Sequence, residues 1–348
     1  MSMLSSAFLL GALPALAAEV SVTERGHASN PTWSPDGARI AFEVNDYSGH
    51  ISLFSTDVRN GNPMGAPAQA NLPGAKSQFG GSGSIAANPS WAQGGMMFEG
   101  SSAGGTMRIY YWTPVGSAPS EILSSAQISG DLTWPATSQD QSKLAFVSDA
   151  TGKGDIYVWD SSTNEVSRAL DSPFSEAAPC FDQGGETIVF SRKNQGGEDL
   201  FTVASGAASP RIGGQGDQTR PIYAGDGSIV YFTSERGDGH WDIAVSTGQG
   251  KKKVIAKDVR LPVRASPALA GNGQWVAYGS DLSEKGKFIF FTKLDGSATV
   301  EIDTGLIAAG EPAITSANGR TFMAFTALPD VGADWRQLHI IDISGKGI

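Results

Sequence analysis

The chain has 348 residues, of which 40% are hydrophobic and only 17% are charged, with 44 glycines and 18 prolines. This composition is typical of many short strands joined by tight turns and does not favour a helical protein. The formal net charge of −10 disfavours nucleic acid as a partner, because an acidic chain repels phosphate backbones, and the single basic run at Lys251–Lys253 fits a solvated hairpin end.

The first 17 residues carry the pattern of a signal peptide. Residues 5–17 form an apolar run that ends in Ala15-Leu16-Ala17, although the first basic residue, Arg25, follows the run instead of preceding it. The run is too short to span a bilayer, and no other stretch approaches transmembrane length. Every Asn-x-Ser/Thr triplet has proline in the middle, which favours a bacterial periplasm over a eukaryotic secretory route. We therefore expect export, to a periplasmic or secreted location.

One pattern recurs along the rest of the chain, and its clearest copy runs from Asn30 to Phe42. Each copy has a leading proline, a first strand, a turn of the Asp-Gly type, and a second strand of large, small and aromatic residues. The leading prolines are 42 to 46 residues apart except for a first interval of 58. They are Pro31, Pro89, Pro135, Pro179, Pro221, Pro267 and Pro312. A period in the mid-forties that holds several short strands predicts propeller blades.

The sequence therefore predicts an all-β fold, a seven-bladed β-propeller of four-stranded antiparallel blades that forms one domain over residues 18–348. Each first strand is expected to open at its proline, which need not donate to the ladder. The last copy has no fourth strand, whereas residues 20–23 form a spare strand. We expect this N-terminal strand to close the ring on residues 338–342 and so remove an exposed edge. Residues 60–88, rich in Gly and Pro, are expected to form a surface loop.

Two stretches carry a resemblance to a known family, residues 31–42 and residues 233–243. Both resemble the repeat of the TolB-like propeller family, and the resemblance covers nearly all of the chain after residue 17. It implies a propeller fold and, by analogy with TolB, a binding role in a cell-envelope complex, although the same repeat also occurs in peptidases and lyases. TolB-like proteins carry an α/β domain before a six-bladed propeller, whereas this sequence shows seven copies and no such domain.

Motifs for chemistry are scarce. The four histidines, His27, His50, His240 and His339, lack metal-ligand spacing, and we expect neither a metal nor another cofactor. Cys180 fits a buried apolar site, and the Gly-x-Ser-x-Gly match at residues 100–104 lies in a hairpin with no following helix. The recurring Asp155, Asp199 and Asp242 fit hairpin hydrogen bonding, and no catalytic set is predicted.

The sequence favours a non-enzymatic scaffold that binds a protein or peptide partner in the cell envelope. A carbohydrate-active enzyme of the polysaccharide-lyase kind and a glycan-binding propeller remain alternatives, so whether the chain is an enzyme stays open. Acids and bases converging on one cavity would favour the enzyme, exposed apolar residues on one rim the protein binder, and aromatics in repeated pockets the glycan binder.

The predicted binding face combines the residues before the leading prolines with the hairpins between second and third strands, which lie on one rim of the ring. This rim mixes both charges with aromatics, as a polar protein interface does. The candidate binding residues are Asn30, His50, Asn88, Trp134, Arg192, Arg220, Glu235, Arg236, His240, Trp241, Asp281, Glu311 and Trp335. The opposite rim, which carries the Asp-Gly turns, is expected to offer little for recognition.

Overall fold

The computed structural model describes residues 17–22, 24–73, 83–102, 104–114, 116–247 and 251–348. Within these residues the chain is all β, with 28 strands and one 3₁₀ turn at Ser283–Lys285. No helix in this part of the chain is both long and apolar enough to cross a membrane. The predicted signal peptide lies outside the described residues except for Ala17.

The strands are short, as the glycine-rich composition predicts. In chain order they are β1 Ala18–Val20, β2 His27–Trp33, β3 Arg39–Asn45, β4 Ile51–Arg59, β5 Asn62–Gln69, β6 Ile85–Ala92, β7 Gly95–Ser101, β8 Arg108–Trp112, β9 Ser120–Glu121, β10 Leu132–Thr137, β11 Lys143–Ser148, β12 Asp155–Asp160, β13 Glu165–Arg168, β14 Ser175–Phe181, β15 Ile188–Asn194, β16 Gly197–Ala204, β17 Ala207–Ile212, β18 Gln218–Tyr223, β19 Ile229–Thr233, β20 Trp241–Ser246, β21 Lys252–Val259, β22 Ala268–Ala270, β23 Trp275–Gly279, β24 Phe288–Lys293, β25 Thr299–Asp303, β26 Ile307–Ala317, β27 Arg320–Leu328 and β28 Gln337–Asp342.

Antiparallel four-stranded sheets account for almost all of this structure. Five sheets have four strands each: β10–β13, β14–β17, β18–β21, β22–β25 and the set β26, β27, β28 and β1. The remaining sheet joins β2–β5 to β6–β9, and its two halves meet only at the parallel pair Ile51 and Ile85. We call each four-stranded sheet, and each four-stranded half of the joined sheet, a group. Apart from β1, the strands of each group are consecutive in the chain and pair as antiparallel neighbours.

Apolar side chains hold neighbouring groups together face to face. Seven clusters of buried residues among the described ones each join two successive groups. For example, Phe42 of β3 shares a cluster with Phe322 of β27, which links the first group to the last. The middle residue of the second strand is small in several groups, as at Ala41 and Ala145, and both are fully buried. Small side chains at these positions let the sheets approach closely.

The N-terminal strand β1 lies on the free edge of β28. Ala18, Glu19 and Val20 pair in antiparallel register with Ile340, His339 and Leu338. Val20 is buried in the cluster that also contains Ile340. The N-terminal strand thus supplies the fourth strand of the last group, next to residues at the end of the chain.

In six of the seven copies the leading proline lies inside the first strand and does not open it, so this expectation was wrong there; only Pro267 directly precedes its strand, β22. Strand β2 begins at His27 and passes Pro31 at a β-bulge between Ser29 and Thr32. The same shift occurs in β6, β10, β14, β18 and β26. A bulge takes proline out of the ladder, so its missing N–H is not needed there.

The expectation of a surface loop over residues 60–88 was wrong in part. Strand β5 supplies the outer strand next to β4, although its sequence is poor in β-branched residues. An outer strand needs a ladder on one side only, and this tolerates Pro63 and Pro67. Strand β6 begins at Ile85, and residues 74–82 lie outside the described residues.

Candidate functional site

The bulges place the residues before the prolines along a central channel. Their φ angles lie near +50°, in the left-handed region, which is rare for a residue that precedes proline. These residues are Asn30, Asn88, Trp134, Ala178, Arg220 and Glu311. Asn30, Asn88 and Trp134 line one cavity of about 220 Å³ together with Ala178, Arg264 and Ser266. The structure thus brings three of the predicted residues together around one cavity.

Buried carboxylates link the bulges of neighbouring groups. The backbone N–H of Asn88 donates to Glu43 Oε1 at 2.7 Å, and that of Trp134 donates to Glu99 Oε2 at 2.8 Å. Asn30 N donates to Glu311 Oε2 at 2.6 Å. Sequence reasoning missed Glu43 and Glu99. Each directly follows the aromatic residue of a second strand, and a charge in such an apolar strand was the available signal.

Burial controls the protonation of Glu43. Desolvation raises the pKa of this carboxyl group to about 7, against the favourable charge of Arg264 and hydrogen bonds from Asn30 and Asn88. Glu43 Oε1 accepts Asn30 Nδ2 at 2.8 Å as well as the Asn88 N–H. Burial also raises the pKa of Glu311. These carboxyl groups do not line the cavity, and their oxygens already accept bonds from the protein.

Arg220 and Glu311 contact a segment that sequence reasoning did not single out. The Arg220 guanidinium donates to the carbonyl oxygens of Val263 at 3.0 Å and Ala265 at 3.3 Å, and it also contacts that of Pro262. The backbone of Val263 also lowers the pKa of Glu311, against the larger effect of burial. From the same segment, Arg264 forms an ion pair with Glu99. Arg220 therefore holds neighbouring backbone and is not a free cation.

For orientation, we name the two ends of the channel. The hairpin rim consists of the segments that lead into first strands and the hairpins between second and third strands, such as residues 46–50 and 329–336. The turn rim consists of the turns between first and second strands, such as Asp36-Gly37 and Asn318-Gly319. Glycines at these turns have positive φ, as at Gly37 and Gly319, which confirms the predicted turn chemistry.

On the hairpin rim, Arg236 forms ion pairs with Asp238 at 3.2 Å, Asp242 at 3.0 Å and Asp258 at 2.6 Å. His240 Nδ1 lies 2.6 Å from Asp281 Oδ2, and this hydrogen bond is the largest of the effects that raise the pKa of His240. Ligand atoms of His240, Asp258 and Asp281 lie within 4.8 Å of one another, close enough to hold a metal ion. Arg236 already forms an ion pair with Asp258 of this group.

The other predicted hairpin residues are also engaged. His50 lies 2.9 Å from Ser52 Oγ and 3.2 Å from Glu24, and Glu235 pairs with Lys252. Trp241 packs against the buried cluster around Phe232, and the Trp335 ring lies edge-on to His27 at 5.0 Å. The recurring aspartates bind their own hairpins, as predicted: Asp155 accepts from Thr151 and Asp199 from Asn194.

Arg192 cannot serve as a docking residue in this structure. It is buried, its Nε donates to Glu176 at 3.0 Å, and its guanidinium lies 4.3 Å from the centre of the Phe201 ring. The sequence predicted a hairpin position for this arginine, whereas it lies within strand β15. The sequence could not reveal its inward orientation, because the buried partner Glu176 lies on another strand.

Exposed apolar side chains are concentrated on the hairpin rim. Seven large hydrophobic residues are exposed among the described residues, and five of them belong to this rim. The five are Tyr47, Phe174, Val263, Ile307 and Val331. Val331, at the tip of the hairpin between β27 and β28, is 90% exposed. The other two, Met64 and Val254, lie on the outer strands β5 and β21.

The turn rim is less featureless than the sequence indicated. A groove of about 760 Å³ lies there, lined by residues that include Asp36, Arg39, Met64 and Gln93. It forms where the two halves of the eight-stranded sheet diverge, because β4 and β6 pair only at Ile51 and Ile85, near the hairpin rim. We expected this rim to offer little for recognition, and the groove shows that this expectation was wrong, although the groove is wide and shallow.

Comparison with known proteins adds a family and a set of related folds. The family model described as the TolB beta propeller domain matches residues 115–346. The crystal structure of TolB from Acinetobacter baumannii aligns at 18% identity with a TM-score of 0.56, over 80% of this chain and 67% of that one. A putative TolB from Agrobacterium tumefaciens aligns at 15% identity and a TM-score of 0.54, over 72% and 84%. An oligogalacturonate lyase from Vibrio parahaemolyticus aligns at 12% identity and a TM-score of 0.60, over 93% of both chains.

Proposed function

This chain belongs to the TolB beta propeller domain family, and we propose that it is a non-enzymatic scaffold that binds a protein partner on its hairpin rim. The observation that carries the proposal is the grouping of exposed apolar side chains on this rim, among them Tyr47 and Val331. Apolar anchors surrounded by charged and polar groups are the composition of a protein interface. Single exposed hydrophobic residues are common, but five of seven on one rim favour a docking face.

We also propose a ring of seven blades that is closed by β1, and a location in the cell envelope. The cyclic order of the seven buried clusters and the pairing of β1 with β28 support the ring. The apolar run before Ala17 and the resemblance to TolB support export. A closed ring gives the hairpins a rigid base, so a partner meets a preorganised surface and less ordering entropy is lost on binding.

The enzyme alternative has weaker support. Acids and bases do converge near the channel, as at Glu43, Glu99 and Arg264. The carboxyl groups of Glu43 and Glu99 accept backbone N–H groups, however, and neither residue lines the cavity. A catalytic acid must reach the proton it transfers. Aromatic side chains are not repeated from pocket to pocket along the described rim, so a lectin-like role has less support still.

Replacing two rim anchors should weaken partner binding. We expect the double variant Tyr47→Asp with Val331→Asp to bind a partner captured from an envelope fraction at least about tenfold more weakly, because buried charges replace apolar anchors. Tyr47 has a positive φ of 59°, which aspartate tolerates. Titration of the purified partner against both proteins, by calorimetry or surface plasmon resonance, measures the change.

The matched control is Met64→Asp with Val254→Asp, which places two charges at exposed apolar positions away from the hairpin rim. This control should bind as the parent does, and both double variants should keep the parent melting temperature. Equal binding by all three proteins, or a loss confined to the control, would show that the partner docks elsewhere. Charge reversal at Arg220 or Arg236 would be a poorer test, because both arginines make contacts that hold the fold.

A further inference from the structure

One of the groups departs from the repeat where its first strand should line the channel. Strand β22 has only three residues, Ala268–Ala270, whereas the other first strands have six to eleven. Ser266, just before Pro267, lacks the left-handed φ that its six counterparts share. The neighbouring strand β21 fills part of the gap, since Arg260 N donates to Gly279 O and Val259 bridges to Ser280.

The residues that would have extended β22 turn into the channel instead. Arg264, Ala265 and Ser266 line the same cavity as Asn88 and Trp134, which belong to other groups. The ion pair between Arg264 and Glu99 of β7 reaches across the ring. Three cluster interfaces separate their groups along the shorter path around the ring. We call residues 261–266 the strap.

The strap is held in place by side-chain contacts and not by the backbone hydrogen bonds of a strand ladder. No backbone-to-backbone hydrogen bond involves residues 261–267 in the described structure. Its fixed points are the Arg220 guanidinium on three carbonyl oxygens and the Arg264 ion pair with Glu99. Glu99 is 2% exposed, so the pair is largely removed from solvent on that side.

The cavity that the strap helps to line also contains a buried polar group without a partner. Asn88 is buried, it lines the cavity, and its Nδ2 has no hydrogen-bond partner among the described residues. A buried amide donor without an acceptor is costly, and such groups are usually satisfied by water or by a ligand. The cavity of about 220 Å³ has room for a small group, such as a side chain or a chain end.

We propose that the strap is a latched gate over the channel: Arg264 on Glu99 holds it closed, and release of this pair admits an acceptor-bearing group of the docked partner to Asn88. This inference rests on the proposed function for the identity of what enters. A partner that needs the open form must overcome the latch, so a weaker latch raises its affinity. The gate itself is a property of the chain alone and can be measured without a partner.

The test is hydrogen–deuterium exchange of the peptide that contains the strap, in the full chain. Glu99→Gln and Arg264→Gln each remove one charge of the latch, and we expect strap amides to exchange at least about tenfold faster in both variants. Trypsin offers a second measure for Glu99→Gln, because release exposes the bond after Arg264. Faster cleavage there should accompany faster exchange.

Glu43→Gln is the matched control. Glu43 occupies the position in β3 that Glu99 occupies in β7 and accepts a bulge N–H in the same way, and it feels the charge of Arg264 without forming an ion pair with it. In Glu43→Gln, the strap amides should exchange at a rate within about twofold of the parent rate. Unchanged exchange in both latch variants at parent melting temperatures overturns the gate, and so does equal acceleration in the control. If the latch variants confirm the gate but Tyr47→Asp with Val331→Asp binds the partner normally, docking on the hairpin rim is wrong and the gate still stands.

Discussion

Deletion of residues 19–25 should destabilise the whole propeller and promote aggregation. The deletion removes most of β1, including Val20, which is 1% exposed in the cluster shared by β2, β3, β27 and β28. Burial of one valine and the ladder to β28 together account for roughly 3–6 kcal/mol. The melting temperature should fall by several degrees or more, as measured by calorimetry. Static light scattering should show association, because β28 becomes an exposed edge.

A point variant separates the strand from the segment around it. Val20→Asp places a charge in the buried cluster and should reproduce most of the loss, whereas Glu19→Ala, on the exposed side of the same strand, should change the melting temperature little. Melting curves that match the parent for both the deletion and Val20→Asp would mean that the N-terminal strand does not close the ring.

Much of this fold can be predicted from the sequence because the repeat is local. Each turn needs residues that accept positive φ, and pairs such as Asp36-Gly37 mark the turns along the chain. The pairing of β1 with β28 also followed from counting strands. The bulges did not, because proline normally pushes the preceding residue away from the left-handed region that Asn30 and Trp134 adopt.

The site was harder to predict, because its contacts cross the ring. Arg264 and Glu99 are 165 positions apart and belong to different copies of the repeat, so no local pattern joins them. The spacing of Pro267 is ordinary, which hid the shortened strand β22 and the strap before it. The acids around His240 could not be grouped from spacing either, since Asp258 and Asp281 reach it from β21 and from a hairpin of the next group.

Arg192→Ala should cause the other large loss of stability, about 3–5 kcal/mol near neutral pH. The substitution leaves Glu176 buried without its charged partner, and it removes the guanidinium from its stack on Phe201. Chemical denaturation at pH 7 measures the change. Lys193→Ala, the next residue and an exposed one, is the matched control and should stay within about 0.5 kcal/mol of the parent.

The same variant should respond to pH in a defined direction. Desolvation is the largest cause that raises the pKa of Glu176, so the folded chain binds a proton there more tightly than the unfolded chain does. Stability from this group therefore increases as the pH falls through the raised pKa, and the increase is complete below the unfolded value. The deficit of Arg192→Ala should be smaller at pH 5 than at pH 8. A deficit that grows on acidification would contradict this assignment.

A hydrogen-exchange footprint of the isolated complex tests most directly whether a protein partner docks on the hairpin rim. Binding should slow exchange in the hairpins at residues 46–50 and 329–336 and in the segment before β14, where Tyr47, Val331 and Phe174 lie. The groove of the turn rim, around Arg39 and Gln93, should exchange as in the free protein. Protection of that groove, with the hairpins unchanged, would contradict the account.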